Sequence, residues 1–118
     1  KMKAIVCGGR SYSDSKYLEQ VMDLCLGWWN LNCIITGGAK GADALAHRWA
    51  LKRGLATEVH MADWDTYGKP AGMIRNREML TIGQPNVVIA FPGTTGTENM
   101  ITISRKAGVP VFIPGEGK

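Results

Sequence analysis

Val87-Val-Ile-Ala-Phe-Pro-Gly-Thr-Thr-Gly-Thr-Glu-Asn99 is a short apolar run that ends in a Pro-Gly turn. It then opens, through a glycine- and threonine-rich loop, into a helical pattern. Glycines let a backbone approach a ligand closely. The helix start beyond them presents unpaired N–H groups and a partial positive charge, which suits a phosphate. Cys33-Ile-Ile-Thr-Gly-Gly-Ala-Lys-Gly-Ala-Asp43 repeats this design, and Ile5-Val-Cys-Gly-Gly-Arg10 repeats it in shorter form. Three strand-to-glycine joints in one small chain point to a binder of phosphate-bearing small molecules.

Apolar β-rich runs occur at Lys3–Cys7, Cys33–Thr36, Thr57–Met61, Val87–Phe91 and Pro110–Ile113. Helical patterns lie between them. Tyr17 to Trp28 has helical spacing with Ser13 or Asp14 as N-cap, and Ala42, Leu45, Ala46, Trp49 and Ala50 form a second apolar stripe. Met73–Ile82 gives a third helix, and Thr95-Gly-Thr-Glu98 has the capping-box form for a fourth. This alternation predicts an α/β fold: a Rossmann-like three-layer sandwich with a five-stranded, mostly parallel sheet. Ligands of such sheets sit beyond the strand C-termini at the topological switch point, where the glycine loops are expected to converge. The irregular stretch Ala62–Pro70 is a candidate lid. Trp28 is expected to continue the core stripe of the first helix, leaving Trp29 at its margin as an anchor for a two-fold contact.

The 118 residues read as one domain spanning 1–118, with 45% apolar and 20% charged content. No apolar run approaches the ~20 residues of a bilayer span and no signal-peptide pattern opens the chain, so a cytoplasmic, membrane-independent protein is expected. Cys7, Cys25 and Cys33 lack CxxC spacing and read as buried reduced thiols. His47 and His60 lack HExxH spacing, so no metal and no cofactor are expected. The net charge of +4 is mild, but Arg10, Lys40, Lys69, Arg75 and Arg77 fall in or beside the predicted loops and helix starts, which favours an anionic ligand.

Neither GxGxxG after the first strand nor GxxxxGK[ST] is present, which disfavours dinucleotide-dehydrogenase and P-loop readings. Instead, five ordered motifs run from about Ala4 to Ile113. They are Gly8-Gly-Arg10, Gly37-Gly-Ala-Lys-Gly-Ala-Asp43 with Leu45 to Ala50, Ala62-Asp-Trp64 with Tyr67-Gly-Lys69, Arg75-Asn-Arg-Glu-Met79, and Pro92-Gly-Thr-Thr-Gly-Thr97. Together they resemble the SLOG superfamily and, within it, the YspA/cpYpsA-related branch. That resemblance implies a Rossmann-like fold and a nucleotide-type pocket. Its relatives include the LOG phosphoribohydrolases, the single-stranded-DNA binder DprA, and sensors of nucleotide-derived signals.

The LOG likeness places a functional arginine at Arg75, four residues before Met79. The glutamate of the LOG PGGxGTxxE motif falls on Met100, and Glu98 lies about 200° away around the helix. LOG-type hydrolysis is therefore not expected.

The expected ligand is a nucleotide or nucleotide-derived molecule. Gly8, Gly9, Arg10, Gly37, Gly38, Lys40, Asp43, Arg75, Asn76, Gly93, Thr94, Thr95, Gly96, Thr97 and Glu98 are the candidate binding residues. Asp43 reads equally as a ribose-hydroxyl acceptor or a surface acid at a helix start. Trp64 and Tyr67 offer ring faces to a base, or simply pack down their loop. Arg75 lies in a polar turn that folding is not expected to need. Two alternatives stay open: N-glycosidic or phosphoribosyl chemistry with Asp43, Asp63 or Glu98 as acid or base, and DprA-like binding of single-stranded DNA. A homodimer is expected.

Overall fold

The computed structural model describes residues 2–115. Its elements, in chain order, are β1 Met2–Cys7, α1 Ser15–Trp29, β2 Leu31–Thr36, α2 Ala42–Lys52, β3 Ala56–Val59, α3 Trp64–Tyr67, α4 Ala71–Thr81, β4 Val87–Ala90, α5 Thr95–Lys106 and β5 Val111–Phe112. The five strands form one sheet in the order β3-β2-β1-β4-β5, and all four pairings are parallel. The chain therefore moves outward from β1 to β3, returns past β1 to β4, and ends at β5. That reversal places the switch point between β1 and β4.

Parallel strands buried on both faces read as unbroken apolar runs, because alternate side chains enter different cores. In β1, Ala4 and Val6 join Leu18, Met22, Cys25, Trp49 and Phe91 under α1 and α2. Ile5 and Cys7 join Ile35, Met79, Val88 and Met100 under α4 and α5. Cys7, Cys25 and Cys33 are buried free thiols. Among the described residues, no helix is long and apolar enough to cross a membrane.

Asp14 is the N-cap of α1 and accepts a hydrogen bond from the Tyr17 N–H. Three expectations need correction. Trp29 packs on the core, whereas Trp28 is 59% exposed. Trp29 stands eleven residues after Leu18, close to three whole helical turns, whereas Trp28 falls about 80° off that stripe. The Thr95–Glu98 capping box is out of register. Thr94 is the N-cap, makes no side-chain cap bond, and already accepts the Glu98 N–H through its carbonyl. The stretch Ala62–Pro70 contains one helical turn, α3, capped by the Asp63 carboxylate on the Thr66 N–H.

Gly41, before α2, has φ +78, and an added Cβ there would collide with the Gly9 carbonyl and the Arg10 backbone. Gly54 has φ +70 but open space around it. Gly54→Ala should cost about 1–2 kcal/mol, from left-handed strain alone. Gly41→Ala should cost about 1–3 kcal/mol more, because rigid backbone must also move. Urea denaturation of both variants compares the two; equal losses would contradict the loop packing described.

Candidate functional site

At the β1/β4 switch, three glycine loops are held together by backbone. The Gly9 N–H donates to the Pro92 carbonyl at 2.8 Å, and the Ala42 N–H donates to the Gly9 carbonyl at 3.2 Å. A Cβ on Gly9 would lie 3.2 Å from Gly93 Cα, and one on Gly8 would lie 2.6 Å from Ala42 Cβ. Side chains larger than hydrogen would push these loops apart.

A cleft of about 690 Å³ opens over this junction, a size typical of small-molecule sites. Gly8, Gly9, Arg10 and Tyr12 line it from the first loop, Asp43 from α2, and Pro92–Thr97 from the loop after β4 and the start of α5. Trp64 of α3, Lys69, and Met73, Arg75, Asn76 and Met79 of α4 complete the wall. Because Thr94 makes no side-chain cap bond, the first N–H groups of twelve-residue α5 keep their donor capacity at the cleft. A Cβ on Gly96 would meet nothing within 4 Å.

The charged groups are set by long-range contacts. Asp43 is 6% exposed, and its Oδ2 accepts the N–H groups of Gly37 (3.1 Å) and Ala39 (3.2 Å). Burial is the largest influence on its carboxyl and raises its pKa; the backbone donors, Arg75 and Arg10 oppose that rise. Arg75 Nη1 donates to the Gly37 carbonyl at 2.6 Å and its Nε to Asn76 Oδ1 at 3.1 Å. Asn76 Nδ2 in turn donates to the Gly96 carbonyl (3.1 Å) and Asn99 Oδ1 (3.0 Å), tying α4 to α5. Arg75, expected simply to lie in a polar turn, also reaches across to the loop after β2 and braces it. Desolvation, followed in its lowering effect by the like charge of Arg10, lowers the Arg75 pKa, while Asp43 opposes that shift.

Several sequence candidates lie elsewhere. Gly37 is buried behind the cleft wall, its carbonyl taken by Arg75 and its N–H by Asp43. Gly38 packs against Met61 and Val59, and Lys40 points to solvent. Glu98 is exposed beyond the cleft-lining turn, and Asp63 is occupied as a helix cap. Met100, at the LOG glutamate position, is fully buried in the core. Arg77 faces a separate groove between α4 and α5, with Leu80, Ile103 and Lys106. Asp43 is the one acid among the described residues that line the cleft.

Sequence reasoning missed Tyr12, Met73 and Met79. Tyr12 packs at a tilt against Phe91, ring centroids 5.5 Å apart, and its hydroxyl is buried without a partner among the described residues. Cys7 also lines the cleft, but burial, reinforced by Asp43, pushes its thiol up to about 12, so it is no thiolate nucleophile at neutral pH.

Residues 2–67 match the YspA, cpYpsA-related SLOG family, and the chain belongs to that family. It is 40% identical over 90 residues to the gene 61 protein of Mycobacterium phage D29, covering 70% of this chain and 71% of that protein. Its fold is similar to DNA processing protein A (DprA) from Streptococcus pneumoniae, with a TM-score of 0.77 and 25% identity over 98% of this chain. The chain spans about half of DprA, 51% of its length.

Asp43→Ala should destabilise the protein by about 1–3 kcal/mol, because two loop N–H groups lose their acceptor. Asp43→Asn keeps one oxygen for both donors. A carboxyl whose folded pKa is raised contributes most below its unfolded pKa, and that contribution is lost as pH rises through the folded value. Wild-type stability should therefore fall relative to Asp43→Asn from the ordinary carboxylate range towards neutrality. Denaturant titrations of both proteins across that range measure it; parallel curves would contradict the desolvated placement of Asp43.

Proposed function

We propose that this member of the YspA, cpYpsA-related SLOG family binds a nucleotide or nucleotide-derived ligand in the switch-point cleft. Its phosphate rests on the first turn of α5 and the Gly93–Thr97 backbone, beside the side-chain-free Gly8–Gly9 turn, with Arg10, Lys69 and Arg75 as counter-charge. The observation that carries this reading is the helix start free of a side-chain cap, opening into a cleft with three cations and one desolvated carboxylate.

Binding is favoured over hydrolysis, because the LOG glutamate position is the core residue Met100. The likeness to DprA supports a second reading, in which the cleft takes one nucleotide of a single strand. Salt separates the two. A strand held over several phosphates loses affinity steeply as salt rises, and a single-nucleotide pocket much less so. Free, buried thiols accord with a reducing, cytoplasmic setting.

Gly96→Asp is the direct test. The added side chain has room, and a carboxylate in the first turn favours the helix by about 0.3–1 kcal/mol, so folding is preserved. It places negative charge where the phosphate sits and should weaken binding of AMP at least tenfold by isothermal titration calorimetry. Equal AMP affinity in the two proteins would remove α5 from the site.

A homodimer is part of the same proposal, with the contact moved to Trp28. This ring and Leu24, one turn earlier, are 59% and 55% exposed, and Trp28 meets Trp29 and Phe112 edge to face. Light scattering should show a dimer that Trp28→Glu converts to monomer; a wild-type monomer at micromolar concentration would contradict it.

A further inference from the structure

The cleft is chemically lopsided. Glycine and threonine backbone, with the start of α5, forms one part of its wall, and Trp64, Met73 and Met79 form another. Trp64 is 46% exposed, although it lines a concave surface. An edge of its indole lies across Gly72 of α4, where an added Cβ would be 3.4 Å from Trp64 Cη2. The ring thus lies near the surface of the helix that also carries Arg75.

The other partner of the ring is Arg10, whose guanidinium carbon lies 5.5 Å from the Trp64 ring centroid. Among the described residues, Arg10 forms no ion pair with an acid, and the like charge of Arg10 is felt at Arg75. An unpaired planar cation therefore covers an indole face at the edge of a positively charged cleft. A flat nucleobase makes the same kind of stacking contact over a larger area. A guanidinium released from the ring is attracted to an incoming phosphate.

We propose that Trp64 is the base platform of this cleft. The base of a nucleoside monophosphate replaces the Arg10 guanidinium on the indole, and Arg10 turns to the phosphate. This assignment rests on the nucleotide reading above and deepens it. It makes Trp64 a specificity-determining residue that requires a base on the ligand, so that a bare sugar phosphate binds poorly.

The test compares AMP with ribose 5-phosphate on wild-type protein, Trp64→Phe and Trp64→Ala, by isothermal titration calorimetry. Loss of stacking in Trp64→Ala should weaken AMP about five- to a hundredfold, while Trp64→Phe retains most of the affinity. Ribose 5-phosphate should bind wild type and Trp64→Ala alike, and more weakly than AMP binds wild type. AMP should also quench tryptophan emission in wild type and lose that effect in Trp64→Phe, whose remaining tryptophans lie outside the cleft lining.

Unchanged AMP affinity in Trp64→Ala, or equal losses for both ligands, would overturn the platform and leave the phosphate site standing. Failure of both ligands to bind wild type would overturn the nucleotide reading and the platform with it.

Discussion

Where β1 and β4 end, backbone approaches backbone closely enough to exclude side chains, and this contact shapes the cleft. The Gly9 N–H on the Pro92 carbonyl, and the Ala42 N–H on the Gly9 carbonyl, bring loops from three strands into one surface. That approach leaves no space for side chains, as the positions of Gly8, Gly9, Gly41 and Gly93 show. The topology supplies the place, because the reversal between β1 and β4 opens a gap that no crossover helix fills. The glycines supply the depth. Main chain on this side of the cleft holds N–H groups at fixed positions, and the start of α5 adds its dipole.

Around that floor, charge is arranged through contacts that also hold the fold. Asp43 gathers the loop after β2 through two N–H groups, and Arg75 grips the same loop by its Gly37 carbonyl. Asn76 then carries the connection to α5. Substitutions at these positions therefore disturb architecture and electrostatics together, which makes Gly96 and Trp64 cleaner probes of function. The same coupling gives Asp43 its pH sensitivity, since the burial that lets it organise the loop also penalises its charge.

The fold was legible because its signals are local. Five β-rich runs, each ending in glycine, proline or a helix start, locate the strands. The continuous hydrophobicity of Ala4–Cys7, Cys33–Thr36 and Val87–Phe91 points to a sheet covered on both faces, whereas Thr57–Met61 alternates, as suits the edge strand it forms. Where local reading failed, it failed by register. One residue of offset moved the α5 cap from Thr95 to Thr94, and one position around α1 exchanged the roles of Trp28 and Trp29. In the candidate site, the glycine loops were readable as strand–loop–helix joints. The Arg75–Gly37 bond spans 38 residues, and Trp64 meets Arg10 only because β3 and β1 feed the same end of the sheet. No spacing rule encodes such contacts. Tyr12 and Met73 escaped notice for the same reason.

An amide chemical-shift titration of the isotopically labelled protein with AMP tests the phosphate placement most directly. Saturable, one-to-one shifts concentrated at Gly8, Gly9 and Gly93–Thr97 are what a phosphate on the start of α5 and the switch-point backbone predicts. Shifts confined to other surfaces, or none at millimolar AMP, would contradict it.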